Sequence, residues 1–95
     1  MTYKQLAETF VMLSDHNPNA LVIDWAEHDE WGIDLSGYEL TAKEIRILAE
    51  MGGWGLGRDY EFDEEGMKAW TDPQNHTDEE LVEVFNRYKS IYKYA

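Results

Sequence analysis

Leu21-Val22-Ile23-Asp24-Trp25-Ala26-Glu27-His28-Asp29-Glu30-Trp31-Gly32-Ile33-Asp34-Leu35-Ser36 is the stretch on which the fold turns. Leu21, Ile23 and Trp25 alternate with Val22, Asp24 and Ala26, and Trp31, Ile33 and Leu35 alternate with Gly32, Asp34 and Ser36. Alternation with period two marks half-buried strands, so the segment reads as a hairpin. Setting Trp25 opposite Trp31 also sets Ile23 opposite Ile33 and Leu21 opposite Leu35, which makes one face wholly apolar. A slip of one residue would oppose Asp24 to Ile33. The preferred register leaves Glu27, His28 and Asp29 as the loop, where Asp29 tolerates a left-handed position.

Outward from the hairpin, the signals become helical. Thr2 with Gln5, Thr41 with Glu44, and Thr77 with Glu80 each form a Thr-x-x-Glu/Gln capping box. Tyr3, Leu6, Phe10 and Leu13 share a face of the first helix, with Ala7 beside them. Ala42, Ile45, Leu48 and Ala49 share a face of the second, and Gly52 is its expected stop. Leu81, Val84, Phe85, Tyr88, Ile91 and Tyr92 line the third, with Asp78, Glu79 and Glu80 in its first turn to suit the helix dipole. Tyr60 and Phe62 alternate with Glu61 and Asp63, which predicts another strand over 59–63; residues 67–70 are compatible with strand or helical turn. The expected architecture is α+β: three helices on a small antiparallel sheet, in the order α-β-β-α-β-α, as one domain over residues 1–95.

The charge is as uneven as the patterning. The chain has 20 Asp and Glu against 8 Lys and Arg, a net charge of −12, and a pI near 4.4. Six acids and no Lys or Arg lie between Asp24 and Glu39, and four more acids between Asp78 and Glu83. Such a field repels nucleic acid and anionic membranes and attracts basic surfaces. There is no Cys, which excludes disulfides and thiol chemistry and fits a reducing compartment. No apolar run approaches a membrane span and the N-terminus lacks a signal-peptide pattern, so a soluble cytoplasmic protein is expected.

Motifs that would announce chemistry fail on context. Gly52-Gly53-Trp54-Gly55-Leu56-Gly57 resembles a phosphate loop, but a helix precedes it and no Lys-Ser/Thr follows. It reads as a helix-to-strand connection in which Trp54 and Leu56 plug the core edge, or in which an exposed Trp54 anchors a partner. Asp59, Glu61 and Asp63 match the first positions of a calcium loop. The sixth position is Glu64 and the twelfth is Trp70, where Gly and Glu are required. His16, His28 and His76 are scattered, and Ser14, Ser36 and Ser90 lie in no nucleophile elbow. Arg87, Tyr88, Lys89, Tyr92 and Lys93 mix basic and aromatic residues, but helix packing and capping explain them more simply than nucleic-acid contact. No enzyme, metal site or cofactor is expected.

Two readings account for the acids. In the first, the chain is an interaction protein whose carboxylates bind a basic partner surface, mimicking phosphates to inhibit a nucleic-acid-handling protein. Asp24, Glu27, Asp29, Glu30 and Asp34 are then one patch, Glu61, Asp63, Glu64 and Glu65 a second, with Trp54 as an aromatic anchor. In general composition, though in no motif, the chain is similar to the small acidic proteins of phages and mobile elements. In the second reading the acids serve only solubility or salt adaptation, and exposed aromatics such as Trp54 or Trp70 bind a protein partner. Mimicry predicts one acidic ridge; solubility predicts acids on every face.

Overall fold

The computed structural model describes residues 1–19, 25–27, 30–57 and 64–93, with residues 25–27, 30 and 64–66 described for the backbone alone. In chain order the elements are α1 (Tyr3–His16), β1 (Trp25–Glu27), β2 (Glu30–Asp34), α2 (Ala42–Met51), β3 (Trp54–Leu56), α3 (Glu64–Thr71), a 3-10 turn (Pro73–Asn75), α4 (Asp78–Tyr88) and β4 (Ser90–Lys93). The fold is α+β, with helices on a small antiparallel sheet, as the patterning predicts.

All three capping boxes form. The Gln5 amide donates to the Thr2 hydroxyl at 3.1 Å, and the Thr2 amide donates back to the Gln5 side chain at 2.9 Å. Thr41 with Glu44 and Thr77 with Glu80 repeat the exchange. Gly52 ends α2 at φ 77, a left-handed conformation that favours a residue without Cβ. Residues 67–70 resolve as helix, within α3.

The last helix departs from expectation. It stops at Tyr88, and Ser90–Lys93 is a strand rather than a further helical turn through Ile91 and Tyr92. Lys89 makes the switch at φ 48, donating its amide to the Phe85 carbonyl at 2.8 Å while its own carbonyl accepts from the Leu35 amide at 2.7 Å. β4 then lies between β2 and β3 in a sheet of order β1-β2-β4-β3, antiparallel throughout. Two ladders outweigh one more turn of helix, because each residue of a central strand is bonded on both sides.

Register differs too. Trp25 pairs with Gly32, Ala26 with Trp31 and Glu27 with Glu30, one residue away from the Trp25–Trp31 pairing, so Glu27 belongs to β1 rather than to the loop. The expected pairings of Leu21 and Ile23, and the strand over 59–63, lie outside the described residues. β3 occupies the middle of the glycine-rich stretch expected to be only a connection.

One sheet face is the core. Ile33, Ile91 and Leu56 lie abreast across β2, β4 and β3, each at most 3% exposed. Leu13 of α1, Ile45 and Leu48 of α2, Met67 and Trp70 of α3, and Leu81, Val84 and Phe85 of α4 close over them. Burying such side chains contributes roughly 1.5–3 kcal/mol each. Tyr3 falls on the expected core stripe of α1 but is 92% exposed; the stripe meets the core only from Leu6 onward, through Phe10 and Leu13. Gly55 is small for a reason visible across the strands. A Cβ there would collide with the Tyr92 ring, which rests on the glycine directly opposite it.

Candidate interaction surface

Three residues of the first expected acidic patch, Glu27, Glu30 and Asp34, fall among the described residues. Glu27 and Glu30 take facing positions at the end of the β1–β2 ladder. Asp34 ends β2, exposed, with Oδ1 accepting from the Ser36 amide at 2.9 Å. That bond turns the chain after the strand and leaves the rest of the carboxylate outward. Asp24 and Asp29 lie outside the described residues, as do Glu61 and Asp63. Glu64 and Glu65 open α3, where negative charge complements the helix N-terminus.

Trp54 does not belong to the surface. It is 1% exposed, its indole N–H donates to the Thr9 hydroxyl at 3.1 Å, and its ring meets Trp31 edge-on with centroids 5.4 Å apart. This overturns its assignment as a partner anchor; the chain's apolar core claims it. Trp70 is equally committed, stacking on Phe85 and donating to the Trp54 carbonyl at 2.6 Å. That bond occupies a carbonyl of the edge strand β3, a position otherwise open to strand pairing.

Several carboxylates are used within the fold. Arg46 gathers Asp78 and Glu50, and also donates to the carbonyls of Pro73 at 2.9 Å and His76 at 2.7 Å. It thereby ties α2 to the start of α4, and its pKa is raised, chiefly by the bond to Asp78. His16 Nε2 lies 2.8 Å from Glu44 Oε2, joining the end of α1 to the start of α2. Burial pushes the Glu44 carboxyl up, but the Thr41 amide and then His16 outweigh it, and the net pKa is lowered. His76 Nδ1 lies 2.9 Å from Glu80 Oε2. The Thr77 amide and then His76 hold the Glu80 carboxyl down at about 2.

Other acids face outward. Glu8, Asp15, Glu39 and Glu79 are exposed, and their side chains make no hydrogen bond or ion pair among the described residues. They stand on α1, on the segment before α2, and on α4, so the described carboxylates are not confined to one ridge. A cleft of about 300 Å³ between α3 and α4 is lined by Lys68, His76, Glu80, Glu83 and Arg87. His76–Glu80 and Arg87–Glu83 pair within it. Among the described residues no group of three or more His, Asp or Glu is arranged to hold a metal ion. Likewise no described helix is long and apolar enough to cross a membrane.

Two apolar surface residues lie outside the helical stripes. Val11 is 62% and Ile47 40% exposed, and both line a groove of about 810 Å³ between α1 and α2. Their signal is present in the chain: each is an apolar residue left off the core stripe assigned to its helix. No family model, curated protein or solved structure matches this chain.

Proposed function

We propose that this chain is a non-enzymatic interaction protein that binds a basic surface on a protein partner, standing in for phosphates where that partner handles nucleic acid. The observation that carries the reading is the opposition of Glu27 to Glu30 at the hairpin end, with Asp34 exposed further along β2. Like charges facing each other on antiparallel strands repel. An Arg or Lys from a partner relieves that repulsion and forms charge-assisted hydrogen bonds. The net charge of −12 supplies long-range steering toward such a partner and away from nucleic acid itself. Inhibition of a host nucleic-acid protein, of the kind phages and mobile elements practise, is the setting such mimicry suits. Absence of Cys is consistent with a cytoplasmic encounter.

In a second reading the acids serve only solubility, which the spread of exposed carboxylates over α1, the segment before α2 and α4 favours. A module built on exposed aromatics loses Trp54 and Trp70, which are buried, and keeps Tyr3 among the described residues. The test is affinity capture from the source lysate with washes at about 0.05 M and about 0.5 M salt. A basic nucleic-acid-handling protein should be retained at low salt, released at high salt, and lost with the E27K/E30K/D34K variant. No enriched protein at low salt, or a partner that ignores both salt and charge reversal, overturns the proposal.

A further inference from the structure

The groove between α1 and α2 differs in character from the rest of the surface. Val11 and Ile47 are two of the three large hydrophobic side chains that the described surface leaves exposed, and they meet in this one place. Its rim carries Lys4 and Lys43, which are exposed and have no hydrogen-bond or ion-pair partner among the described residues. The His16–Glu44 pair braces the two helices that form its walls.

The spacing along α1 says what fits there. Lys4, Glu8, Val11 and Asp15 are separated by four, three and four residues, so they form one stripe along the helix. Laid antiparallel across a second α1 about the helix midpoint, the two charged ends of the stripe complement each other. Lys4 faces Asp15 of the other copy, Asp15 faces Lys4, Ala7 faces Met12, and Glu8 faces Val11. The two ion pairs would stand about 16 Å apart along the axis, with Val11 of each copy between them. A two-fold contact must be self-complementary in this way, since one patch serves both sides.

We propose that this groove is a homodimer interface, with α1 of each copy seated in the α1–α2 groove of the other so that Ile47 closes over the central apolar contact. A basic partner suits the site poorly, because its own lysines hold the rim. Nucleic acid would find Glu8 and Asp15 beside them. Glu8 lies as near the two-fold axis as Val11 and faces Val11 of the other copy, where its carboxylate gains no partner, so it opposes association. Two chains of charge −12 also repel at long range, so dimerisation strengthens as salt is raised beyond the point where the Debye length falls under about 8 Å.

Sedimentation velocity on the full chain over a wide concentration range, at about 0.15 M and about 0.5 M salt, tests this. A monomer–dimer equilibrium is expected, tighter at the higher salt. V11E and I47E should each weaken it by roughly tenfold or more; both positions are exposed, and circular dichroism checks that the variants fold. K4E and D15K should each weaken the dimer, the double exchange K4E/D15K should restore it, and E8Q should tighten it. A chain that stays monomeric at about 0.5 mM and high salt overturns the proposal. So does a dimer indifferent to V11E and I47E, or one that the double exchange fails to restore. Because the hairpin acids are not involved, E27K/E30K/D34K should dimerise like the natural chain, and V11E should retain any salt-released basic partner.

Discussion

Thr9 is the one buried polar side chain among the described residues, fully enclosed on the inner face of α1. Its hydroxyl accepts from the Trp54 indole at 3.1 Å and donates to the Gln5 carbonyl at 2.9 Å. Thr9→Val keeps the shape, removes the acceptor and leaves a buried indole N–H without a partner. Such a group costs about 1–3 kcal/mol, so the urea midpoint of T9V should fall accordingly while T9S stays near the parent. Equal midpoints for T9V and the natural chain would show that the bond contributes nothing net. None of this is legible along the chain. Thr9 and Trp54 are 45 residues apart, and a Trp within a glycine-rich stretch reads equally well as a plug or as an anchor until the core shows which.

The elements divide between those written locally and those chosen by their neighbours. Each capping box closes within four residues, so Thr2, Thr41 and Thr77 mark their helices plainly. The same box sets a pH response at the start of α4. Glu80 is held at about 2 against an ordinary value of 4.5. A lowered carboxyl pKa stabilises the fold above the unfolded value, and that contribution is lost as pH falls toward the folded one. Melting temperature should therefore drop between pH 4.5 and about 2, and E80Q should show a shallower drop over the same interval. An unchanged slope in E80Q would assign acid sensitivity to other carboxyls.

At the far end of α4, Lys89 holds a left-handed conformation at φ 48 and ψ 39. Such a position costs a side-chain-bearing residue roughly 1 kcal/mol or more, part of which glycine regains before its greater unfolded-state entropy is subtracted. K89G should stabilise the chain by about 0.5 kcal/mol and K89V should destabilise it, both read from urea unfolding. A destabilising K89G would mean that the lysine stem contributes packing that outweighs the backbone relief. The strand beyond Lys89 is illegible in the sequence because Tyr88, Ile91 and Tyr92 extend the helical period of α4 without a break. Ser90-Ile91-Tyr92-Lys93 suits a strand only once β2 and β3 stand on either side to bond it. The hairpin departs more narrowly. Its strands are legible, but the apolar match chooses a different register, whereas the observed ladder places Glu27 and Glu30 at its end and joins them across two residues rather than three.

Across the whole molecule, charge acts on every element at once. A net charge of −12 on a 95-residue chain opposes compaction through self-repulsion. Raising salt from about 0.05 M to about 0.5 M should raise the melting temperature, since screening reaches each exposed carboxylate. A gain of about 1 kcal/mol would appear as about 4–8 °C in a chain of this size. The rise should persist at dilutions where the chain is monomeric, which separates it from any effect of association. A fall in Tm with salt would show instead that ion pairs such as those of Arg46 contribute more than the repulsion removes.

By itself the sequence determined the starts of α1, α2 and α4, the existence of the hairpin, the α+β class and the sign of the field, because each rests on contacts or sums within a few residues or over composition. Tertiary structure alone decided that β4 leaves α4 to fill the centre of the sheet and that Trp54 and Trp70 are core. It also decided that Arg46, His16 and His76 spend part of the acidic surface on joining helices, and that Val11 and Ile47 share one groove. Those outcomes depend on which distant partner is available to satisfy a backbone group, an indole N–H or an apolar face. Such choices are settled only when the elements meet.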